Sequence, residues 1–383
     1  MKILGVVAEY DPFHRGHARH LRLAGEKVRP DLTYIALSGC VKQRGEPAML
    51  SPHDRARCAL AAGADAVFAL PAVWTVRDAE HYALGAVSML RDLGVTHLAF
   101  GAETDRLDLL RSAAERMENP TEGFTRTLKT ALAEGEGYPR AVRAAMAAES
   151  PECAALLDRP NNILAVCYLR AVLRLGASVA PVLIPRGGDY HAKEIRTEEP
   201  SASAVRGALE RGDYARAYAA VPEETRTVIQ NAFLAGNVPK TEILDTLLIR
   251  RLRSMSREEI AALPDVGEGM ENLLLDTARK VRTREQLLDA VSGKRYPRAR
   301  ISRICAAAML GMRREETESA PLPREAVLLG LRKNPEMTAQ WRALPIRVTT
   351  EWGSGTDLRA WQLRAQCAGL PDTLPWTEKV VTE

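Results

Sequence analysis

Short apolar runs alternate with stretches of helical period over the first two hundred residues, and then the runs largely stop. Residues 2–8 (KILGVVA), 31–37 (DLTYIAL), 64–70 (ADAVFAL), 96–101 (THLAFG) and 179–184 (VAPVLI) are short, mostly apolar segments. That pattern predicts strands buried on both faces. Between them, residues 17–28, about 51–62, 79–93 and 162–175 carry apolar positions at helical spacing. Alternation of this kind predicts βαβ units in a doubly wound parallel sheet. Beyond about residue 205 the reading is helical: 206–219, 222–234, 240–253, 256–262, 270–280, 284–291 and 298–312, with Pro and Gly between several of them. The expected fold class is α/β over residues 1–220, followed by a mostly helical region over residues 221–383. The stretch from about 345 is mixed and yields no assignment.

Composition narrows the class without changing it. A chain of 383 residues has room for two domains, and 46% hydrophobic with 27% charged residues is ordinary for a soluble globular protein. No apolar run approaches the roughly 18 residues of a membrane span. Ile3–Ala8 is too short for the apolar core of a signal peptide and runs straight into Glu9. Six cysteines at 40, 58, 153, 167, 305 and 367 form no CxxC pair, which predicts reduced structural thiols in a cytoplasmic protein and no metal site. The net charge of +4 says little, but its distribution says more. Lys294, Arg295, Arg298, Arg300, Arg303, Arg313 and Arg314 crowd one segment, with no acidic residue between Lys294 and Arg314. A phosphate backbone would exploit such a patch, and a solvated helix face would also account for it.

The candidate chemistry begins directly after the first strand, at Glu9-Tyr10-Asp11-Pro12-Phe13-His14-Arg15-Gly16-His17. An HxGH sequence at a strand–turn–helix junction suits phosphate handling. Gly16 lets a nucleotide approach the backbone, the free amides of a helix start favour phosphate oxygens, and two imidazoles donate to an α-phosphate as charge builds on it. Ser201-Ala202-Ser203-Ala204-Val205-Arg206 supplies a second element of the same sort, with hydroxyls at a helix start and an arginine on its first turn. Gly101 sits at the carboxyl end of a strand, where ligands of parallel sheets bind. Asn161 and Asn162 precede an apolar helix and offer amide groups to a base or a ribose, or simply cap the helix. Arg186 follows the strand at 179–184 and lies within reach of a triphosphate or of solvent. No P-loop and no GxGxxG is present.

These blocks resemble the tRNA(Met) cytidine acetate ligase family, a branch of the HxGH nucleotidyltransferases. The resemblance rests on Glu9-Tyr10, Pro12-Phe13-His14, Gly16-His17, Ser38-Gly39, Gln43-Arg44-Gly45-Glu46-Pro47-Ala48, Leu70-Pro71 and Phe100-Gly101 with Glu103. It continues through Pro160-Asn161-Asn162-Ile163-Leu164, Tyr190-His191, Ser201 to Arg206, Pro264-Asp265 with Glu268-Gly269, and Lys294-Arg295-Tyr296 with Arg298, Arg300-Ile301 and Arg303. Roughly residues 1–315 are covered. The resemblance implies a nucleotidyltransferase-like ATP-binding catalytic domain at 1–220 and a basic tRNA-binding domain at 221–383. It implies a ligase that activates acetate as acetyl-adenylate and transfers the acetyl group to N4 of the wobble cytidine of elongator tRNA(Met). The partners would be ATP, acetate and that tRNA, with no membrane and no DNA. No cofactor would be tightly bound, ATP being a substrate accompanied by Mg²⁺. Catalytic roles fall on His14 and His17. ATP would be wrapped by Val7, Ala8, Glu9, Tyr10, Asp11, Pro12, Phe13, His14, Arg15, Gly16, His17, Ala18, Arg19 and His20, with Gly101, Asn161, Asn162, Arg186, Ser203 and Arg206 completing the site. The tRNA would be held by Lys294, Arg295, Arg298, Arg300 and Arg303.

The chain departs from the family pattern at Asp11 and Arg15, where asparagines are usual, and at Cys40, Val41, Ala69 and Ala202. A carboxylate at Asp11 would repel a triphosphate, and Arg15, four residues on, is expected to offset it. Asp65 and Glu80 read as surface or capping residues. Two other readings fit parts of the sequence: a plain adenylyltransferase on a small phosphorylated acceptor, and an RNA-binding protein that kept the fold and lost the chemistry.

Overall fold

The structure, a computed structural model, describes residues 1–186, 200–267, 269–293, 295–353, 355–371 and 378–383. Tyr190, His191, Glu268 and Lys294, all singled out from the sequence, lie outside the described residues. Eight strands form one sheet: β1 Ile3–Ala8, β2 Leu32–Ser38, β3 Ala66–Leu70, β4 His97–Ala102, β5 Ala180–Pro185, β6 Glu325–Leu331, β7 Arg347–Thr349 and β8 Val381–Thr382. Their order is β5-β4-β1-β2-β3-β6-β7, with β8 also on β6. The first five run parallel, as the alternation predicts.

β6 departs from that reading. It pairs antiparallel with β3, from Ala66 opposite Leu331 to Ala69 opposite Val327, so the sheet is mostly parallel rather than wholly so. Three strands from the stretch after 220 thus extend the sheet of the first region. Helices do fill that stretch from Glu223 to Glu318. The helix expected at 206–219 is two, Ala202–Glu210 and Tyr214–Ala219, separated at Gly212, whose φ of +76° an L-residue rarely adopts. Four helices between Leu107 and Leu156 had no counterpart in the sequence reading.

Alternate residues of each strand build two cores, as a period of two requires. Ile3, Tyr34, Phe68 and Leu98 face helices Ala79–Asp92 and Pro160–Arg174. Leu4, Val6, Ile35 and Val67 face helices Arg15–Val28, Pro52–Ala61 and Ala202–Glu210. A third core, around Leu252, Ile260, Leu274, Leu288, Ile304 and Trp361, belongs to the helical region. Glu80 is no surface ornament: it takes Arg170 at 2.7 Å and Arg174 at 2.8 Å, joining the two helices of the first face. Strand order reverses between β1 and β4, which opens a crevice at their carboxyl ends. Among the described residues no helix is long and apolar enough to cross a membrane.

Candidate active site

The turn after β1 drops its two histidines into that crevice. His14 is the N-cap of helix Arg15–Val28, and the cap is reciprocal. The His17 amide donates to His14 Nδ1 at 3.3 Å, and the His14 amide donates to His17 Nδ1 at 3.2 Å. The rings stack with centroids 3.6 Å apart. Both Nδ1 atoms accept, so in each neutral ring the proton sits on Nε2. The rings are neutral. Burial, reinforced by Arg186 and Arg206, pushes His14 down to about 3. Burial, then His14, Arg186 and His20, holds His17 well below its usual range. The local sequence thus yields two neutral N–H donors side by side at a helix N-terminus, whose dipole favours an anion. Gly16 suits this packing, because a Cβ there would crowd two atoms of the His14 ring at 3.0 Å and push the ring aside.

The remainder of the turn supports the pair. Tyr10 holds φ +48°, an unfavourable value for an aromatic residue, and is buried against Phe13 and His17 at ring distances of 4.7 and 4.8 Å. Val7 and Ala8 end β1, Pro12 is buried, and Ala18 and Arg19 continue the helix, Arg19 exposed. Glu9 accepts the Gln43 amide at 2.6 Å and so ties the turn to the next loop. His20 is pushed down to about 4, first by burial and then by Arg186. Its Nε2 and the Tyr10 hydroxyl are buried with no partner among the described residues.

Gly101, Asn161, Asn162 and Arg186 converge on the opposite lip. Arg186 lies across Gly101, where a Cβ would meet its Cδ at 2.9 Å, and it donates to Asn161 Oδ1 at 3.2 Å. Both asparagines are also locked to Glu103. Asn161 Nδ2 donates to its carboxylate at 2.6 Å and the Asn162 amide at 2.9 Å, while Asn162 Oδ1 accepts the Glu103 amide at 2.8 Å. The capping alternative therefore describes part of their work, and Glu103, which the sequence marked only as part of a matching block, is their organiser. In the second element Ser201 caps its helix, accepting from Ala204 at 3.1 Å, and contacts Ser203 at 3.1 Å. Arg206 reaches back to the first turn, donating to the Asp11 carbonyl and lying 3.3 Å from its carboxylate.

Asp11 is not offset by Arg15. It is buried, accepts the Met49 amide at 2.6 Å, and pairs with Lys42 at 3.2 Å as well as with Arg206. Burial alone would raise its carboxyl, but Lys42, Arg206, Arg55 and the Met49 amide hold it below the usual range. Arg15, at the outer start of the helix, is exposed and donates to the Ala219 carbonyl at 2.8 Å. Four residues apart in the chain, the two turn to different partners: Asp11 to Met49, Lys42 and Arg206, and Arg15 to the Ala219 carbonyl.

The basic segment is less free than its composition suggested. Arg303 donates twice to one Asp265 oxygen, at 3.0 and 2.9 Å, and is largely buried. Arg300 donates to the Asp265 carbonyl at 2.8 Å, and Arg298 pairs with Glu285 and Asp289. Arg295 is exposed, its guanidinium 5.5 Å from the Tyr296 ring. A cleft of about 310 Å³ separates Gly293 and Pro297 of this segment from Gly137, Pro139 and Arg140 of the facing helix start, and Tyr138, between Gly137 and Pro139 in the chain, is exposed.

Two more residues escaped the sequence reading. Arg55 is fully buried and serves the ends of β1 and β2, donating to the carbonyls of Glu9 at 2.7 Å, Ser38 at 3.0 Å and Gly39. Arg364, also fully buried, donates to Ala48 at 3.0 Å and Met49 at 2.9 Å. No local signal marks either one, because apart from Leu50, which also accepts from Arg55, these carbonyls lie 16 or more residues away.

A family described as HIGH Nucleotidyl Transferase matches residues 1–340. A tRNA(Met) cytidine acetate ligase of Fervidobacterium nodosum is 33% identical over 305 residues, 79% of this chain and 72% of the other. One of Kosmotoga olearia is 34% identical over 314 residues, 79% and 74% of the two chains. The crystal structure of Thermotoga maritima TmcAL bound with alpha-thio ATP matches with a TM-score of 0.92 at 25% identity, covering 100% of both chains. The chain therefore belongs to the tRNA(Met) cytidine acetate ligases, within the HIGH nucleotidyltransferase family.

Proposed function

We propose that this enzyme activates acetate with ATP and passes the acetyl group to N4 of the wobble cytidine of elongator tRNA(Met). The observation that carries the reading is the reciprocal His14–His17 cap, which aims two neutral Nε2–H groups into a crevice lined by Arg186 and Arg206. An acetate oxygen attacks the α-phosphate of ATP, pyrophosphate leaves, and acetyl-adenylate forms. The two imidazoles donate to α-phosphate oxygens as negative charge grows there, without giving up a proton. Arg186 and Arg206 take the oxygens of the leaving pyrophosphate, and Ser203 and the amides at the start of its helix complete the grip. The adenosine lies toward Gly101 and Asn161, with the Tyr10 hydroxyl and His20 Nε2 as further partners. In the second step the cytidine N4 attacks the acetyl carbonyl, loses a proton, and AMP leaves.

Asp11 and Glu9 are committed to protein partners, so a Mg²⁺ accompanying ATP would be held by phosphate oxygens and water. The tRNA would lie along exposed Arg295, exposed Tyr138 and the cleft that Arg140 lines. A slot between Pro139 and Pro297 with one guanidinium beside it suits an unstacked base with its phosphates outside. Such an enzyme works in the cytoplasm, where its tRNA is. The test is acetyl transfer: purified protein, ATP, Mg²⁺, labelled acetate and unmodified elongator tRNA(Met), followed by digestion of the tRNA. Label in N4-acetylcytidine supports the reading. ATP cleavage with acetate but no label in the tRNA would move the acceptor elsewhere.

A further inference from the structure

Between the phosphate-binding turn and the basic helix lies a tight loop, and a chain of charges, buried at Asp11 and Lys42 and half-buried at Glu46, runs through it. Asp11 Oδ2 meets Lys42 at 3.2 Å, Lys42 meets Glu46 at 2.7 Å, and Glu46 meets Arg284 at 3.1 Å. Arg284 then donates to Ser302 Oγ at 2.5 Å, and Ser302 donates to the Arg44 carbonyl. At its other end Asp11 carries Arg206 of the second phosphate element. Lys42 is the central link, its side chain 8% exposed between two carboxylates. A lysine that far out of water persists only because both partners are charged, and Asp11 likewise depends on its cations.

The loop has little freedom to give. Lys42 donates to the Glu46 carbonyl at 2.9 Å, and Gly45 donates to the Lys42 carbonyl at 2.8 Å. Gly45 has φ +85°, and a Cβ on it would stand 2.2 Å from the Ala306 Cβ, so the loop sits hard on helix Arg298–Leu310. Gln43, next to Lys42, holds Glu9 at the root of the turn. Displacing Lys42 therefore moves Asp11, and with it both the turn that presents His14 and the arginine that faces the phosphates.

We propose that Lys42 is a positioning residue for the phosphate-binding turn. Through Glu46 and Arg284 it also makes the geometry of that turn depend on the seating of the helix assigned to the RNA. The link to RNA rests on the proposed function; the link to ATP does not. ATP affinity is therefore the primary readout, measured by calorimetry on the full chain, with acetate-dependent ATP–pyrophosphate exchange beside it.

Lys42→Met leaves Asp11 buried with one cation fewer. It is expected to weaken ATP binding roughly 10- to 100-fold and to lower exchange kcat beyond what saturating ATP restores. Asp11→Asn together with Lys42→Met removes both charges and is expected to recover ATP affinity to within about threefold of the Asp11→Asn protein. A purely structural role would lower the melting temperature of Lys42→Met without moving ATP affinity in the folded protein, and that result overturns the proposal. So does a double variant as poor as Lys42→Met. Should Lys42→Met not fold, the comparison of Asp11→Asn with the double variant decides: a further loss of tenfold or more on removing Lys42 contradicts an action through Asp11. If wild-type protein binds ATP but shows no acetate-dependent exchange, the proposed reaction fails while the ATP arm of this test still stands.

Discussion

Two clusters stood out in the sequence, the HxGH turn and the basic segment after Gly293, and the fold treats them differently. At the turn the histidine pair is built locally: His14 and His17 cap one another across three residues, and Gly16 leaves room beside the His14 ring. In the basic segment the acids missing from the sequence arrive from elsewhere. The Asp265 carboxylate takes Arg303 while its backbone carbonyl accepts from Arg300, and Glu285 and Asp289 take Arg298. A spacing motif encodes its own geometry. A charge cluster does not, because whether a guanidinium is free depends on residues 9 to 38 positions away.

That contrast can be broken first at its strong end. His14→Ala should lower kcat for acetate-dependent ATP–pyrophosphate exchange by roughly 10²- to 10³-fold, the usual loss for an oriented donor to developing charge. Affinity for tRNA should stay within about twofold of wild type; an equal loss in both would erase the division between the regions.

The next effect is on stability. Arg303→Ala should cost about 1–2 kcal/mol, because it strips a mostly buried pair from Asp265. Thermal unfolding would show it, while the salt dependence of tRNA binding should not change. A shallower salt slope without destabilisation would return Arg303 to the RNA.

Smaller again is the loss at the exposed rim. Arg295→Ala should weaken tRNA binding a few-fold and reduce the slope of log K against log salt by about one. Tyr138→Ala should weaken it roughly 5- to 10-fold or less with an unchanged slope, the signature of a lost stack rather than a lost charge. A change of slope with Tyr138→Ala would mean that the cleft handles phosphates only.

The smallest expected effect is an absence. With His14 held near 3 and His17 far below its usual range, neither ring changes charge between pH 6 and 8. The profile of kcat/KM for ATP should show no imidazole limb near 6.5, and such a limb would contradict neutral donors. Linkage gives the sign for stability. The unfolded chain protonates these histidines near 6.5 and the folded protein resists, so stability is full above 6.5 and drains away as pH falls toward 3.

How much of this was legible follows from range. The five parallel strands, most of their helices and the HxGH turn rest on patterns a few residues long, and they stand where the apolar periods put them. β6 was invisible as a sheet member because its partner β3 lies some 260 residues earlier and pairs in the opposite sense. The partner of Asp11 was misjudged for the same reason: Arg15 is four residues away in sequence, whereas Lys42 and Arg206 are near only after folding. Arg55 and Arg364 show the extreme case. Each is a buried cation whose value lies in carbonyls, groups that every residue has and no sequence pattern marks.

The central claim is that acetate is activated at the α-phosphate beside His14 and His17. Acetate labelled with heavy oxygen tests it most directly, with ATP, Mg²⁺ and tRNA present and the products read by mass spectrometry. Attack at the α-phosphate leaves one heavy oxygen on AMP once the acetyl group has moved to cytidine, and that is the predicted result. Heavy oxygen in orthophosphate, or AMP released without any, would contradict the account.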